Sequence, residues 1–172
     1  MPRGDPIVVT HPSGAQATMQ RGVVFANDGT EIIAYKNLSD NKGFDTDCHG
    51  YTFAKGQVWI NNDQADKLIK GDGYKQTDKP TAGGIVVLRG KDGNVVHSVK
   101  VTSVKNTKNG DAVTVKGEGG IETQAKKQNL DESLKEFNAT GSYYTKGQKN
   151  KTVNDKDKEK LMSTGNKSSG GK

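Results

Sequence analysis

The stretch Phe44-Asp45-Thr46-Asp47-Cys48-His49-Gly50-Tyr51-Thr52-Phe53 carries the chain's only cysteine between an acidic turn and a short amphipathic run. Asp45, Thr46 and Asp47 have side chains that cap helices. A helix is therefore expected to open at or just after Cys48, and the stretch to Ala54 reads as a short helix or an irregular turn ended by Lys55-Gly56, in the manner of a glycine C-cap. The unpaired N–H groups of its first turn, and the positive end of its dipole, would face the sulfur. A free thiol has a pKa of about 8.5, and a helix start or a cationic neighbour must lower it before it attacks efficiently. Asp45 and Asp47 act in the opposite sense, so this thiol needs a positive partner.

The candidate is His97, in Gly93-Asn94-Val95-Val96-His97-Ser98-Val99-Lys100-Val101, a β-rich run with one imidazole among valines. An imidazole beside the thiol would take its proton and later pass it to the leaving group. Alternation along a strand puts His97 on a face with Val99 and Val101. Taken alone, such a histidine reads as a core residue; the cysteine upstream of it turns the reading towards catalysis. A third group should orient the ring through its other nitrogen. Matching Val99 to Val115 and Val101 to Val113 sets Gly117 opposite His97. A bulge in Lys116-Gly117-Glu118-Gly119-Gly120 would then bring Glu118, and after it Glu122, to the histidine side. Gln124 or a backbone carbonyl are alternatives, and the plain reading leaves both glutamates solvated. The N–H of Cys48 offers one oxyanion donor, with His49 as a candidate helper.

These residues resemble a family. Asp47-Cys48-x-Gly50 is similar to the Asp-Cys-Ser-Gly opening of the NlpC-type branch of the papain-like cysteine hydrolases. Pro80-Thr81-Ala82-Gly83-Gly84-Ile85-Val86-Val87-Leu88 resembles the Pro-Gly-Asp-Leu-Val strand ahead of that family's histidine, and Val96-His97-Ser98-Val99 resembles the histidine strand. The resemblance covers residues 44–105. It departs from the branch at His49, where serine is usual, and at Gly84, where aspartate is usual. It implies an α+β, papain-like fold in which a short helix carrying the cysteine packs on a small antiparallel sheet. It also implies a cysteine peptidase or amidase with catalytic Cys48 and His97, the enzyme forming an acyl intermediate that water hydrolyses. The substrate would be a protein or a peptidoglycan crosslink. Small lysine-rich members of the family suggest an antibacterial effector toxin, secreted or delivered as part of a larger effector and met by a cognate immunity protein. Deamidation or acyl transfer on the same dyad, and a β-rich binding module with Cys48 in its core, stay open as alternatives.

Length and composition frame this site. The chain has 172 residues, of which 30% are hydrophobic. That suits one domain over residues 1–145, with a Lys-rich tail over 146–172 that buries too little apolar area to offset its ordering entropy and is expected to be disordered. A signal-peptide core and any apolar run long enough to span a membrane are both missing from the sequence, so a soluble protein is expected. One cysteine precludes an internal disulfide framework. Neither Cys-x-x-Cys nor His-x-x-x-His spacing occurs, so no metal or other cofactor is expected. The formal charge of +6 would suit an anionic partner. Lysines and acidic residues alternate through Asp155-Lys156-Asp157-Lys158-Glu159-Lys160, however, and Arg3, Arg21 and Arg89 are the only arginines. Nucleic-acid binding is not expected from that pattern.

Around the site, residues 1–22 read as an extended arm with one strand over 7–10 and His11 in a surface turn. Residues 22–26 and 31–35 form a hairpin about Asp28-Gly29. Trp59 anchors the core ahead of a helix over 64–70. Strands are expected at 85–89, 95–104 and 112–116, then a helix at 131–137 and a last edge strand at 141–145.

Overall fold

The computed structural model describes residues 4–118 and 125–145. The Asp28-Gly29 turn organises the first part: Gly29 takes φ +92°, a left-handed conformation open to glycine. It joins β2 (Gln16–Phe25) to β3 (Glu31–Asn37), with Val24 opposite Ile32 and Val23 opposite Ile33. β1 (Ile7–Thr10) pairs with β2 and completes a three-stranded antiparallel sheet. The expected arm is thus folded back as a hairpin. β2 begins six residues earlier than expected, because Ala17 and Met19 alternate into a small core with Phe44 and Trp59.

Next come α1 (Cys48–Phe53) and α2 (Asn62–Gly71), then β4 (Lys75–Thr77), β5 (Ile85–Arg89), β6 (Val95–Thr107), β7 (Gly110–Glu118), β8 (Ala125–Asn129), α3 (Leu130–Glu136) and β9 (Thr140–Thr145). The second sheet is antiparallel with the order β4-β9-β5-β6-β7-β8. Two strands had no clear pattern in the sequence: β4, three exposed or half-buried residues, and the lysine-bearing β8. β9 is not an edge strand, since it lies between β4 and β5. The bulge expected near Gly117 sits instead in β6, between Val101 and Ser103, and Val101 faces Val115. The protein is α+β, as expected, but with two sheets rather than one.

Both faces of the larger sheet are covered, and this decides where the site residues point. Ile85 and Val87 of β5 join Phe53, Leu68 and Ile69 in the core beneath α1 and α2. Val86 and Leu88, of the other parity, join Val99, Val115 and Leu130 in a separate core beneath α3. Each fully buried aliphatic side chain of this kind stabilises the fold by about 1.5–3 kcal/mol. α3 starts on a capping box between Asn129 and Glu132. Trp59 is a core residue whose indole N–H donates to the Phe44 carbonyl at 2.8 Å. No helix among the described residues is long and apolar enough to cross a membrane. The expected tail over 146–172 lies outside the described residues.

Candidate functional site

α1 opens at Cys48, where the sequence places it. Asp47 is the N-cap, and its Oδ1 accepts the Gly50 N–H at 2.8 Å and the Ile60 N–H at 3.1 Å. One carboxylate therefore fixes both the helix start and the strand-like segment after it. Gly50 is needed for the same reason: a Cβ there would lie 1.8 Å from the Val58 carbonyl oxygen and 2.3 Å from the Thr46 hydroxyl. Thr46 donates to that Val58 carbonyl at 2.9 Å. At the other end Lys55 and Gly56 take positive φ and stop the helix.

Cys48 is a free thiol, 9% exposed. Backbone N–H groups of Ser98, His49 and Cys48 favour its anion. Burial, and after it the Asp47 charge, outweigh them and push the thiol up to about 12. The resting sulfur is thus a protonated thiol at neutral pH.

The face-to-face arrangement of β6 explains what surrounds it. Val87 pairs with Ser98 and Leu88 pairs with His97, so Ser98 faces α1 while His97 faces α3. His97 is 5% exposed, and its ring stacks on Phe137 with centroids 4.2 Å apart and planes 14° from parallel. The expected Cys48–His97 dyad is therefore not assembled: the two side chains belong to opposite faces of the sheet, and no hydrogen bond joins them among the described residues. Burial, and then His49, depress the His97 imidazole to about 4.

The histidine on the cysteine face is His49. It is fully buried, and its ring links three elements: Nε2 lies 2.7 Å from Asn62 Oδ1 on α2, and Nδ1 lies 2.8 Å from Ser98 Oγ on β6. Burial depresses its basicity too, and a neutral ring donates Nε2–H to Asn62 and accepts the Ser98 hydroxyl proton at Nδ1. Thr52 adds a bond to the Ser98 carbonyl at 3.2 Å. The sequence offered little sign of this hub, because its partners stand 13 and 49 positions away.

Glu118 also faces α1. Lys116 pairs with Lys100, and Lys100, two residues from Ser98, lies over the Tyr51 ring of α1 at 4.5 Å. Glu118, two residues beyond Lys116, therefore lies on the cysteine side and cannot orient His97, the role expected of it. It is 8% exposed, and burial, then Asp47 and Asp45, raise its carboxyl to about 7. Glu122 and Gln124 lie outside the described residues. His11 is in a surface turn, bonded to Ser13. Among the described residues no group of three or more His, Cys, Asp or Glu could hold a metal ion.

His97 and Glu118 give stability opposite pH dependences. The His97 imidazole is depressed from 6.5 to about 4, so folding prefers it neutral; that contribution is complete above pH 6.5 and is lost as pH falls to about 4. It amounts to about 3 kcal/mol. The Glu118 carboxyl is raised from 4.5 to about 7, so its contribution is present below pH 4.5 and is lost as pH rises through 7. His49, also depressed by burial, and Asp72, raised to about 6, act in the same two senses, so urea midpoints measured from pH 4 to 8 are expected to show a shallower acid-side fall in His97→Phe and a shallower fall towards pH 7 in Glu118→Gln. Unchanged profiles in both variants would mean that neither group is held as the structure indicates.

Set against known proteins, the chain matches no protein-family model, no curated protein and no solved structure.

Proposed function

We propose that the protein is a cysteine hydrolase of papain-like architecture, in which Cys48 attacks the carbonyl of an amide bond in a protein substrate. The observation that carries this reading is the setting of the sulfur at the first residue of α1, where the N–H groups of Cys48, His49 and Ser98 all favour negative charge. The same groups would stabilise the oxyanion that forms beside the sulfur. We take as base Glu118, which lies on the same side of the sheet and whose carboxyl, raised by burial to about 7, suits proton transfer at neutral pH. As the S–C bond forms, the thiol proton passes to Glu118. As the C–N bond breaks, Glu118 returns it to the departing amine, and water then cleaves the thioester with Glu118 accepting and releasing a proton once more.

Burial and the Asp47 charge make proton transfer from the raised thiol to Glu118 uphill, and that cost adds to the barrier of the attack itself. A protein target rather than a peptidoglycan crosslink, and delivery as an antibacterial toxin, rest on the family resemblance alone.

A second reading, a binding module with Cys48 as a core residue, is favoured by the burial of the thiol and its high pKa. Iodoacetamide at pH 7.5 separates the two. In the enzyme, Glu118 assists ionisation, so labelling of the native chain slows tenfold or more in Glu118→Gln. In the binding module both label equally, about 10³-fold more slowly than the unfolded chain, whose thiol has its ordinary pKa.

A further inference from the structure

The smaller sheet leaves one apolar edge open. Ile7, Val8 and Leu38 are the large hydrophobic side chains exposed among the described residues, at 47%, 66% and 41%. They gather at one end of that sheet. Val8 pairs with Thr18, and the Leu38 N–H donates to the Thr18 carbonyl at 2.8 Å, so Val8, Thr18 and Leu38 form a row across it. That bond turns the Thr18 backbone towards β3 and away from Val8. At the hairpin end the His11 N–H donates to the Ala15 carbonyl, also at 2.8 Å. Alternation along an antiparallel pair then turns Ile7 and Val9 towards β2, and turns the N–H and C=O groups of Val8 and Thr10 outward, where no strand lies among the described residues. The edges of the larger sheet carry charge instead, Lys75 on β4 and Lys126 and Lys127 on β8, which discourages further pairing there. Ile7-Val8-Val9-Thr10 carries none.

We propose that β1 is a dimerisation edge whose partner is β1 of a second copy, paired antiparallel about Val8. The strand's own residues set that register. With Val8 opposite its image, the two copies exchange the Val8 N–H and C=O bonds, and each Thr10 N–H reaches the Pro6 carbonyl of the other copy. Pro6 has no N–H to leave unpaired. The facing side chains are then Val8 with Val8 and Ile7 with Val9, all apolar. Centring the pair on Val9 would set Val8 against Thr10 and Ile7 against His11. The Val8 register also brings Asp5 opposite His11, whose Nδ1 accepts the Ser13 N–H at 3.1 Å, leaving Nε2–H to donate to that carboxylate. Growth stops at two copies, because β3 is closed on its far side: Tyr35 and Trp59 exchange backbone bonds of 3.0 and 2.9 Å. The contact does not depend on the reading of Cys48.

An edge of four residues makes a small interface, so the dissociation constant is expected on the order of 10–100 µM. Sedimentation of the full chain from about 1 µM to about 1 mM should show a reversible monomer–dimer equilibrium. Over the same range hydrogen exchange at the Val8 and Thr10 amides should slow about fivefold, with Lys75, Lys126 and Lys127 unchanged. Val8→Lys sets like charges opposite each other and should weaken the dimer tenfold or more. In a Cys48→Ala chain, Val8→Cys should crosslink to its image on mild oxidation, since Cα atoms of such a pair stand about 5.5 Å apart. Thr10→Cys, out of register with its image, should not. Unchanged exchange at Val8 and Thr10, full dimerisation of Val8→Lys, or crosslinking of Thr10→Cys in place of Val8→Cys would overturn the proposal. A chain still monomeric at about 1 mM would overturn it too and leave the edge to an extended segment of another protein. The wild-type measurements need no variant to fold.

Discussion

Bacteria expressing the Cys48→Ala chain are expected to show no new protein N-termini above an empty-vector control, whereas the wild-type chain generates a defined set. The substitution removes the only thiol, so cleavage that depends on an acyl-enzyme falls to background. It should leave the fold intact: a small side chain is exchanged for a smaller one, at a cost of about 1 kcal/mol and a few degrees in the melting temperature. The informative comparison is between the two remaining candidates. Glu118→Gln keeps shape and removes the base, so cleavage should drop by roughly 10²–10⁴-fold. His97→Ala empties a site on the far face of β6, and cleavage per folded molecule should stay within about threefold of wild type. Retained cleavage in Cys48→Ala ends the hydrolase proposal. Loss in a folded His97→Ala with full activity in Glu118→Gln would return the base to His97. Muropeptide profiles from the same cultures distinguish a cell-wall target, which changes them and leaves proteins intact.

The separation of His97 from Cys48 shows where reading a sequence stops. The helix start at Cys48 was legible because capping is local: Asp47, Gly50 and Lys55-Gly56 act within one or two turns. The hairpins were legible because Asp28-Gly29 and Asp92-Gly93 turns need residues at ease with unusual backbone angles. Strand parity was legible as well, and His97 does share a face with Val99. Parity does not say which layer covers which face. A helix would ordinarily be assigned to the valine side of β6, yet α1 takes the side of Ser98 and Lys100. It can do so because two of its buried residues, His49 and Thr52, are polar and bond to Ser98, beside Phe53 in the core, where an aliphatic helix would have found no partner. His49, read from the sequence as a departure from a family pattern and a candidate oxyanion helper, is thus the residue that selects the face. β8 stayed hidden for a related reason, since an edge strand rich in lysine lacks the apolar alternation that marks a strand.

If His49 selects that face, removing its ring should destabilise the protein more than any surface change. His49→Ala deletes a fully buried side chain, and large-to-Ala substitutions of buried groups cost about 2–5 kcal/mol. It also strands the Ser98 hydroxyl, which is fully buried and loses its partner on α1, at about 1–3 kcal/mol. Asn62 is exposed and can turn to water, so its lost bond adds little. The two larger contributions overlap, because a collapsed or hydrated cavity would partly satisfy Ser98, so about 4 kcal/mol is expected overall. For a domain of this size the melting temperature then falls by roughly 8–16 °C. Ser98→Ala removes the hydroxyl without the cavity and should cost about 1–2 kcal/mol. The double variant should be less destabilised than the sum by about 1 kcal/mol, since the stranded hydroxyl is gone. Lys67→Ala, on the exposed side of α2, serves as the control and should stay within about 0.5 kcal/mol. Urea unfolding of the four chains measures all of this. A His49→Ala chain within 1 kcal/mol of wild type, or strictly additive costs in the double variant, would mean that the ring fills space on α1 without binding it to the sheet.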